Sequence, residues 1–266
     1  MESFYPVAGP ACDRSGAGLK VKADWFSRGA QEAAGAGDLV VVVDTLRSSS
    51  FAATALAIGA EAVRPVVTVR EALQLQRSPG PLGNALLAGE IDGVKVEGFD
   101  FGNSPTELLS REGEVRGRTL ILRSTMGTKA IQAAKTCGAD PVVVGCILNA
   151  RTVAAYAYSH CVEKGRDVSV ICCGFPPAQF AVEDFLGAGA IIAELPEEVE
   201  RDDAALAAHL AFEAVKDAGE LLDVVSRGRS ARLLHDIGEK QDIRFCLQPN
   251  RYDVLPLLRN YFIKKA

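Results

Sequence analysis

Leu39-Val40-Val41-Val42-Val43-Asp44-Thr45-Leu46-Arg47-Ser48-Ser49-Ser50-Phe51 decides how the rest of this chain is read. Five consecutive apolar residues, four of them valine, predict a strand buried on both faces. The run ends at a carboxylate, passes an arginine and enters three serines able to cap the alanine-rich helix that follows. Asp44 and Arg47 are thereby placed at the carboxyl end of a strand beside a helix N-terminus. Open α/β sheets bind their ligands at such points, where free backbone N–H groups favour an anion.

Outward from that unit the chain alternates. A short strand is expected at 19–21 and a helix near 25–34, then a strand at 62–67. Thr68, with Glu71 three residues on, has the spacing of a capping box. Pro79-Gly80-Pro81 breaks that helix, and a brief strand at 85–88 leads into Gly89-Glu90. A long polar connection runs to Asn103, where Ser104, Pro105 and Glu107 start a helix by the local rules for caps and first turns. Strands at 119–123, 142–146 and 168–172 follow, each with a helix after it. Asn149 is placed to cap the helix 150–164, and Glu183-Asp184 falls in the first turn of another. Past Pro196, 204–225 and 230–237 read as helices and 242–246 as a returning strand.

This pattern predicts an α/β fold with three layers, α/β/α, a mostly parallel or mixed sheet and a helical C-terminal part. One domain spanning 1–266 is expected, with a subdivision near 196 compatible with the change of character there.

The net charge of −5 and the scattered Lys and Arg argue against a nucleic-acid partner. Apolar runs fall short of the roughly 20 residues that span a bilayer, and the opening Met1-Glu2-Ser3-Phe4 has neither the cationic flank nor the apolar stretch of a signal peptide. A cytoplasmic protein is expected, with a homo-oligomer left open. The seven cysteines, Cys12 among them, lack C-x-x-C spacing and read as buried reduced thiols.

Four polar clusters follow apolar strands: Asp44/Arg47 with Ser48, Ser49 and Ser50; Gly89-Glu90; Ser124-Thr125-Met126-Gly127-Thr128; and Asn149. In a parallel sheet these ends share one edge, and Asp184 could join them. Carboxylates gathered there repel unless protonated or holding a cation, and Mg²⁺ with oxygen ligands from Asp44, Glu90 and Asp184 resolves the repulsion. Arg47, the serines and the turn at Ser124 to Thr128 offer donors to a small anionic phosphorylated substrate. Such a set suits phosphoryl chemistry. The same residues also have plainer uses: Asp44 can cap a turn, Arg47 can pair with it, and the serines, Ser104 and Glu183-Asp184 are competent in helix first turns.

At these positions the sequence resembles the 2-phosphosulfolactate phosphatase family, Mg²⁺-dependent phosphatases of coenzyme M biosynthesis. Asp44-x-x-Arg47-x-Ser49-Ser50 is similar to the family's D-x-x-R-A-[ST]-[ST]. Gly89-Glu90 with Gly98-Phe99-x-x-Gly102-Asn103-Ser104-Pro105 resembles G-E-R followed by G-F-x-x-G-N-S-P. The Ser124 to Thr128 turn resembles T-T-N-G-T, Asn149 a later asparagine, and Cys173-Gly174 with Glu183-Asp184-x-x-x-Ala188-Gly189 its C-A-G and E-D-x-x-x-A-G. Asp242-Ile243 and Cys246 match the D-I…C near its end.

The resemblance implies a phosphoric monoester hydrolase with a three-layer fold that converts (2R)-phospho-3-sulfolactate to 3-sulfolactate and phosphate. Asp44, Arg47 and Glu90 are then the expected catalytic residues. Ser49, Ser50, Asn103, Ser104, Ser124, Thr125, Gly127, Thr128 and Asn149 are expected at the substrate. Ile91 stands where the family has the arginine of G-E-R, and Met126 where it has an asparagine. These departures leave a rival reading, a small-anion-binding or regulatory protein of the same fold that has lost turnover.

Overall fold

The computed structural model describes residues 18–80 and 82–266; the opening residues, Cys12 and Pro81 lie outside them. Leu39–Val43 is a strand with all five side chains buried, and its two faces meet different layers. Val40 and Val42 pack with Ala30, Phe51, Ala52 and Ala130 on one side. Leu39, Val41 and Val43 pack with Val153, Ala157, Leu186 and Ile191 on the other. This alternation within an unbroken apolar run is what a central strand between two helical layers requires.

In chain order the elements are β1 (Lys20–Trp25), α1 (Phe26–Ala36), β2 (Leu39–Val43), α2 (Ser48–Ala57), β3 (Ala62–Val66), α3 (Val69–Arg77), β4 (Leu86–Ile91) and β5 (Val94–Lys95). There follow α4 (Pro105–Ser110), α5 (Glu112–Val115), β6 (Thr119–Arg123), α6 (Gly127–Thr136), β7 (Val142–Gly145), α7 (Ala150–Lys164), β8 (Val168–Cys172), α8 (Val182–Ala193) and β9 (Glu200–Arg201). The chain closes with α9 (Asp203–Asp217), α10 (Leu221–Ser226), α11 (Arg229–Asp236), α12 (Lys240–Cys246), β10 (Pro256–Arg259) and β11 (Phe262–Lys265). None of the described helices is long and apolar enough to cross a membrane.

The strands form one sheet in the order β5-β4-β6-β3-β11-β10-β7-β2-β8-β1-β9. β3, β4 and β6 pair in parallel, as do β7, β2, β8, β1 and β9. Between these two parallel blocks lies the β10–β11 hairpin, antiparallel to β7 on one side and to β3 on the other. Its turn uses Asn260 and Tyr261 at φ 49° and 67°, the left-handed pair that a two-residue hairpin demands. The blocks therefore run in opposite senses along the pairing, and the expectation of one shared parallel edge is corrected. Turns after strands of both blocks nevertheless line one cavity.

Local expectations fare unevenly. The Thr68 side chain accepts from the Glu71 N–H as expected, but Glu71 reaches past it to the Val67 N–H. Gly219, at φ 71°, divides the expected 204–225 helix into α9 and α10. The strand expected at 242–246 is the helix α12: Asp242, Ile243, Phe245 and Cys246 are all buried, a one-three-four spacing that belongs to a helical face. The alternation of Ile243 and Phe245 with polar neighbours misleads because the stretch is too short to separate the two periods.

Asn149 stands at the N-cap position of α7, but its side chain makes no capping bond to it. A 3₁₀ turn intervenes, and its amide accepts from the Cys146 N–H at 2.9 Å while donating to the carbonyls of Val254 and Val144 at 3.1 and 3.4 Å. Cys146, Cys161, Cys172, Cys173 and Cys246 are buried as expected, whereas Cys137, at the end of α6, is exposed. After Pro196 the chain stays on the same sheet: β9 pairs with β1, and Ala205, Ala208 and Phe212 of α9 pack with Ala188 and Ile192 of α8.

Candidate active site

A cavity of about 370 Å³ opens where the turns after β2, β4, β6 and β8 meet, with α11 across from them. Asp44 enters it from the end of β2. Its Oδ1 accepts the Ser48 N–H at 3.2 Å and its Oδ2 the Ser48 hydroxyl at 2.7 Å. The other serines tie the turn rather than face the cavity: Ser49 Oγ accepts the Asp44 N–H and donates to the Val42 carbonyl, and Ser50 Oγ donates to the Thr45 carbonyl. Gly127 opens α6 directly against Asp44. A Cβ there would lie 1.9 Å from Ser48 Oγ and 2.6 Å from Asp44 Oδ2, so only glycine lets this helix N-terminus approach the carboxylate.

Glu90 comes from the end of β4 and is held on both oxygens. Oε1 accepts the Thr125 N–H at 2.6 Å; Oε2 accepts the Thr125 hydroxyl at 3.0 Å and the Gly93 N–H at 2.8 Å. Arg123 Nη1 donates to the Glu90 carbonyl and lies 3.9 Å from Oε1. Gly89, at φ 149°, allows this close approach, since a Cβ would fall 2.3 Å from the Arg123 carbonyl oxygen. Arg47 completes the polar wall, but its guanidinium is already committed. Nη1 pairs with Asp242 Oδ2 at 2.8 Å and with Glu239, and Nη2 donates to the Gly93 carbonyl at 3.0 Å.

Of the expected residues the cavity gathers Asp44, Arg47, Glu90, Asn103 and Thr125. Asn103 is almost fully buried, and its Oδ1 has no donor. Ser104 stands behind it, capping α4 by accepting the Glu107 N–H and donating to Asp242. Ser124 and Thr128 are spent on each other across their turn. Ser49, Ser50 and Asn149 are buried away from the cavity. Ile91, 47% exposed, also lies outside the lining, whereas Met126 is part of it.

Asp184 is the clearest departure. Its Oδ1 accepts the Thr45 N–H at 2.8 Å and its Oδ2 the Gly174 N–H at 2.7 Å, so it clamps the turn after β2 to the turn after β8 and does not line the cavity. Among the described residues no group of three or more His, Cys, Asp or Glu is placed to hold a metal. The expected carboxylate trio is therefore not assembled. Asp44 and Glu90 still present hard carboxylate oxygens to one cavity, with Asn103 among its lining residues. That set fits a Mg²⁺ ion, which takes one or two carboxylates and completes its shell with water and substrate oxygens.

Burial raises the Asp44 carboxyl above the ordinary range; the Ser48 hydrogen bonds pull it back, and the Glu90 charge pushes it up further. Burial likewise raises Asp184, helped by the charges of Asp44 and Glu183. Glu183, from the same turn of α8, is raised by burial against a hydrogen bond from Ser230, and its Oε2 has no donor. Between an unfolded value of about 4.3 and its raised folded value, the folded chain holds the Glu183 proton more tightly than the unfolded one. Stability then falls as pH rises through that window. Glu183→Gln is expected to flatten this fall, which thermal unfolding across pH 4–8 measures; an unchanged slope would contradict the assignment.

Sequence reasoning did not find the partners of Arg47 on α12 and in the turn before it, nor the apolar side of the cavity made by Leu46, Phe175, Pro176, Leu233 and Leu234. The one available signal was Asp242-Ile243, which matched a motif but was read on a strand.

The profile of the 2-phosphosulpholactate phosphatase family matches residues 27–261. A protein of Caldanaerobacter subterraneus subsp. tengcongensis described as a "Probable 2-phosphosulfolactate phosphatase" is 37% identical over 229 residues, covering 85% of this chain and 90% of its own length. Proteins with the same description from Carboxydothermus hydrogenoformans (37% over 219 residues; 82% of this chain, 84% of theirs) and Thermotoga maritima (33% over 220; 83% and 88%) align similarly. With its sheet, its strand-end turns and nearly its whole length covered, the chain belongs to the 2-phosphosulpholactate phosphatase family.

Proposed function

We propose that this protein is a Mg²⁺-dependent phosphatase that hydrolyses the phosphate monoester of a 2-hydroxy acid, the class to which 2-phospho-3-sulfolactate belongs. The observation that carries the reading is the meeting of Asp44, Glu90 and Asn103 on one cavity that also contains Arg47. Asp44 and Glu90, with Asn103, would hold Mg²⁺. Bound there, the ion would offset the phosphate charge that otherwise meets two carboxylates.

The rest is done by the chain itself. The two serine donors and the N-terminus of α6 fix the Asp44 carboxylate in one orientation. Thr125 and Gly93 fix Glu90 opposite it. Arg47, locked by Asp242 and the Gly93 carbonyl, presents its remaining N–H capacity to the acid's carboxylate. Positioning of this kind is where most of the catalysis of phosphoryl transfer resides.

Phosphate release from 2-phospho-3-sulfolactate, phospholactate and other phosphorylated hydroxy acids, with Mg²⁺ and with chelator, tests the reading. Mg²⁺-dependent release from at least one ester is expected. Thermal stabilisation by the esters with no release from any would favour the binding protein instead.

A further inference from the structure

Beside the catalytic cavity lies a groove that the phosphatase reading leaves unused. Phe175 and Ser230 line both. The groove continues past them between the turn after β8, the first turn of α8 and the connection from α10 to α11. Its lining carries Arg227, Arg229 and Arg232, all exposed, against one acid, Glu183. Arg227 is paired with Asp223. The side chains of Arg229 and Arg232 make no ion pair or hydrogen bond among the described residues.

The N-terminus of α11 opens into the same groove. Gly228, at its cap position, makes no side-chain capping bond, and the N–H groups of Arg229 and Ser230 find no acceptor among the described residues. Free first-turn N–H groups beside two unspent guanidinium groups favour an anion. Glu183 is short of a partner as well. It is 2% exposed, its Oε2 has no hydrogen-bond partner, and that oxygen lies 3.3 Å from where a Cβ on Gly228 would stand. A buried polar oxygen left alone is costly. Burial raises this carboxyl above the ordinary range, and its protonated form is a donor that a bound anion satisfies.

Inside the cavity the available donors gather elsewhere. Arg47 pairs with Asp242, and Ser104 donates to the same carboxylate. Asn103, next to Ser104 and in the cavity lining, has an amide nitrogen with no acceptor among the described residues. Arg47 and Asn103 together suit the carboxylate of a 2-hydroxy acid whose phosphate lies at Asp44 and Glu90. The remaining end of such a molecule has its way out past Ser230, where the groove begins.

We propose that the groove at the N-terminus of α11 is the subsite for a second strong acid group of the substrate, a sulfonate, received by Arg229, Arg232 and the first-turn N–H groups. The inference rests on the reading of the neighbouring cavity as the phosphatase site. It deepens that reading by assigning the end of the substrate remote from the phosphate.

The product acid and its analogue without the sulfonate test the assignment. Wild-type protein and the Arg229→Gln/Arg232→Gln double variant are titrated calorimetrically in Mg²⁺ with 3-sulfolactate and with lactate. Both arginines are exposed, so the variant is expected to fold, which thermal unfolding checks. Wild type is expected to bind 3-sulfolactate at least about 10-fold more tightly than lactate, the effect of hydrogen bonds to a charged group, and the double variant to lose that preference. A wild type that binds the two acids equally, or binds neither, overturns the proposal. A preference kept in full by the double variant overturns it too and leaves the sulfonate to the donors around Asp242. Absence of phosphate release from every ester, with the preference and its loss both observed, would refute the phosphatase reading and leave this subsite standing.

Discussion

Asp44→Asn is expected to lower Mg²⁺-dependent phosphate release by about 10²–10³-fold or more, the loss typical when a fixed electrostatic group is removed from a reacting centre. The substitution keeps the shape of the turn. One amide oxygen still accepts from Ser48, and the Ser48 hydroxyl can rotate to accept from the new amide. What disappears is the charge, and with it the means to draw a cation into a cavity whose other buried carboxylate is Glu90. Stability should move the other way. Asp44 is a buried carboxyl facing the Glu90 charge, so the asparagine variant should unfold at a temperature no lower than wild type in the absence of Mg²⁺, as expected of a residue kept for function. Initial rates of phosphate release and thermal unfolding of the same preparations measure both. Retained activity would dismiss Asp44 from the mechanism.

Asp242→Ala is the substitution with the largest expected cost in stability, about 3–5 kcal/mol, because it breaks a buried ion pair from one side. Asp242 is completely buried and accepts from Arg47 Nη1, the Ser104 hydroxyl, and both the N–H and hydroxyl of Thr106. Alanine strands all of these donors and leaves Arg47 to Glu239. The N-terminus of α4, the turn after β2 and α12 lose their common anchor together, and denaturant unfolding should show the loss.

Asp242→Asn is the informative companion. It retains an acceptor for Ser104 and Thr106 but removes the charge that holds the guanidinium. It should therefore recover much of the stability while phosphate release stays impaired, chiefly through KM if Arg47 contacts the substrate carboxylate. An Asp242→Ala protein as stable as wild type would show that the network is held elsewhere.

Asp44 and Arg47 were legible in the sequence because their placement is local: a two-faced apolar strand must end, and the polar residues after it must occupy its carboxyl end. Thr68 and Ser104 were legible as caps for the same reason, since the groups they satisfy lie within three residues. Glu90 was legible likewise, as a polar residue closing a short apolar strand, and the family resemblance reached further, to Asn103, through short motifs whose order the fold preserves. Residues such as Asn149 and Asp184 sat in matching motifs and so drew functional readings, but the bonds that consume them run to Val254 and to Thr45 and Gly174.

By itself, then, the sequence determined the layered α/β class, the family, and the turn after β2 as a wall of the site, because periodicity and capping act over a few residues. Only the tertiary structure decided which polar residues face the cavity and which are spent as clamps. It placed a C-terminal hairpin in the middle of the sheet, made 240–246 a helix, paired Arg47 with Asp242, 195 residues away in the chain, and set leucines of α11 across from the carboxylates. These follow from where buried donors find acceptors and apolar faces find cover. Both depend on distances through space that neighbouring letters do not encode.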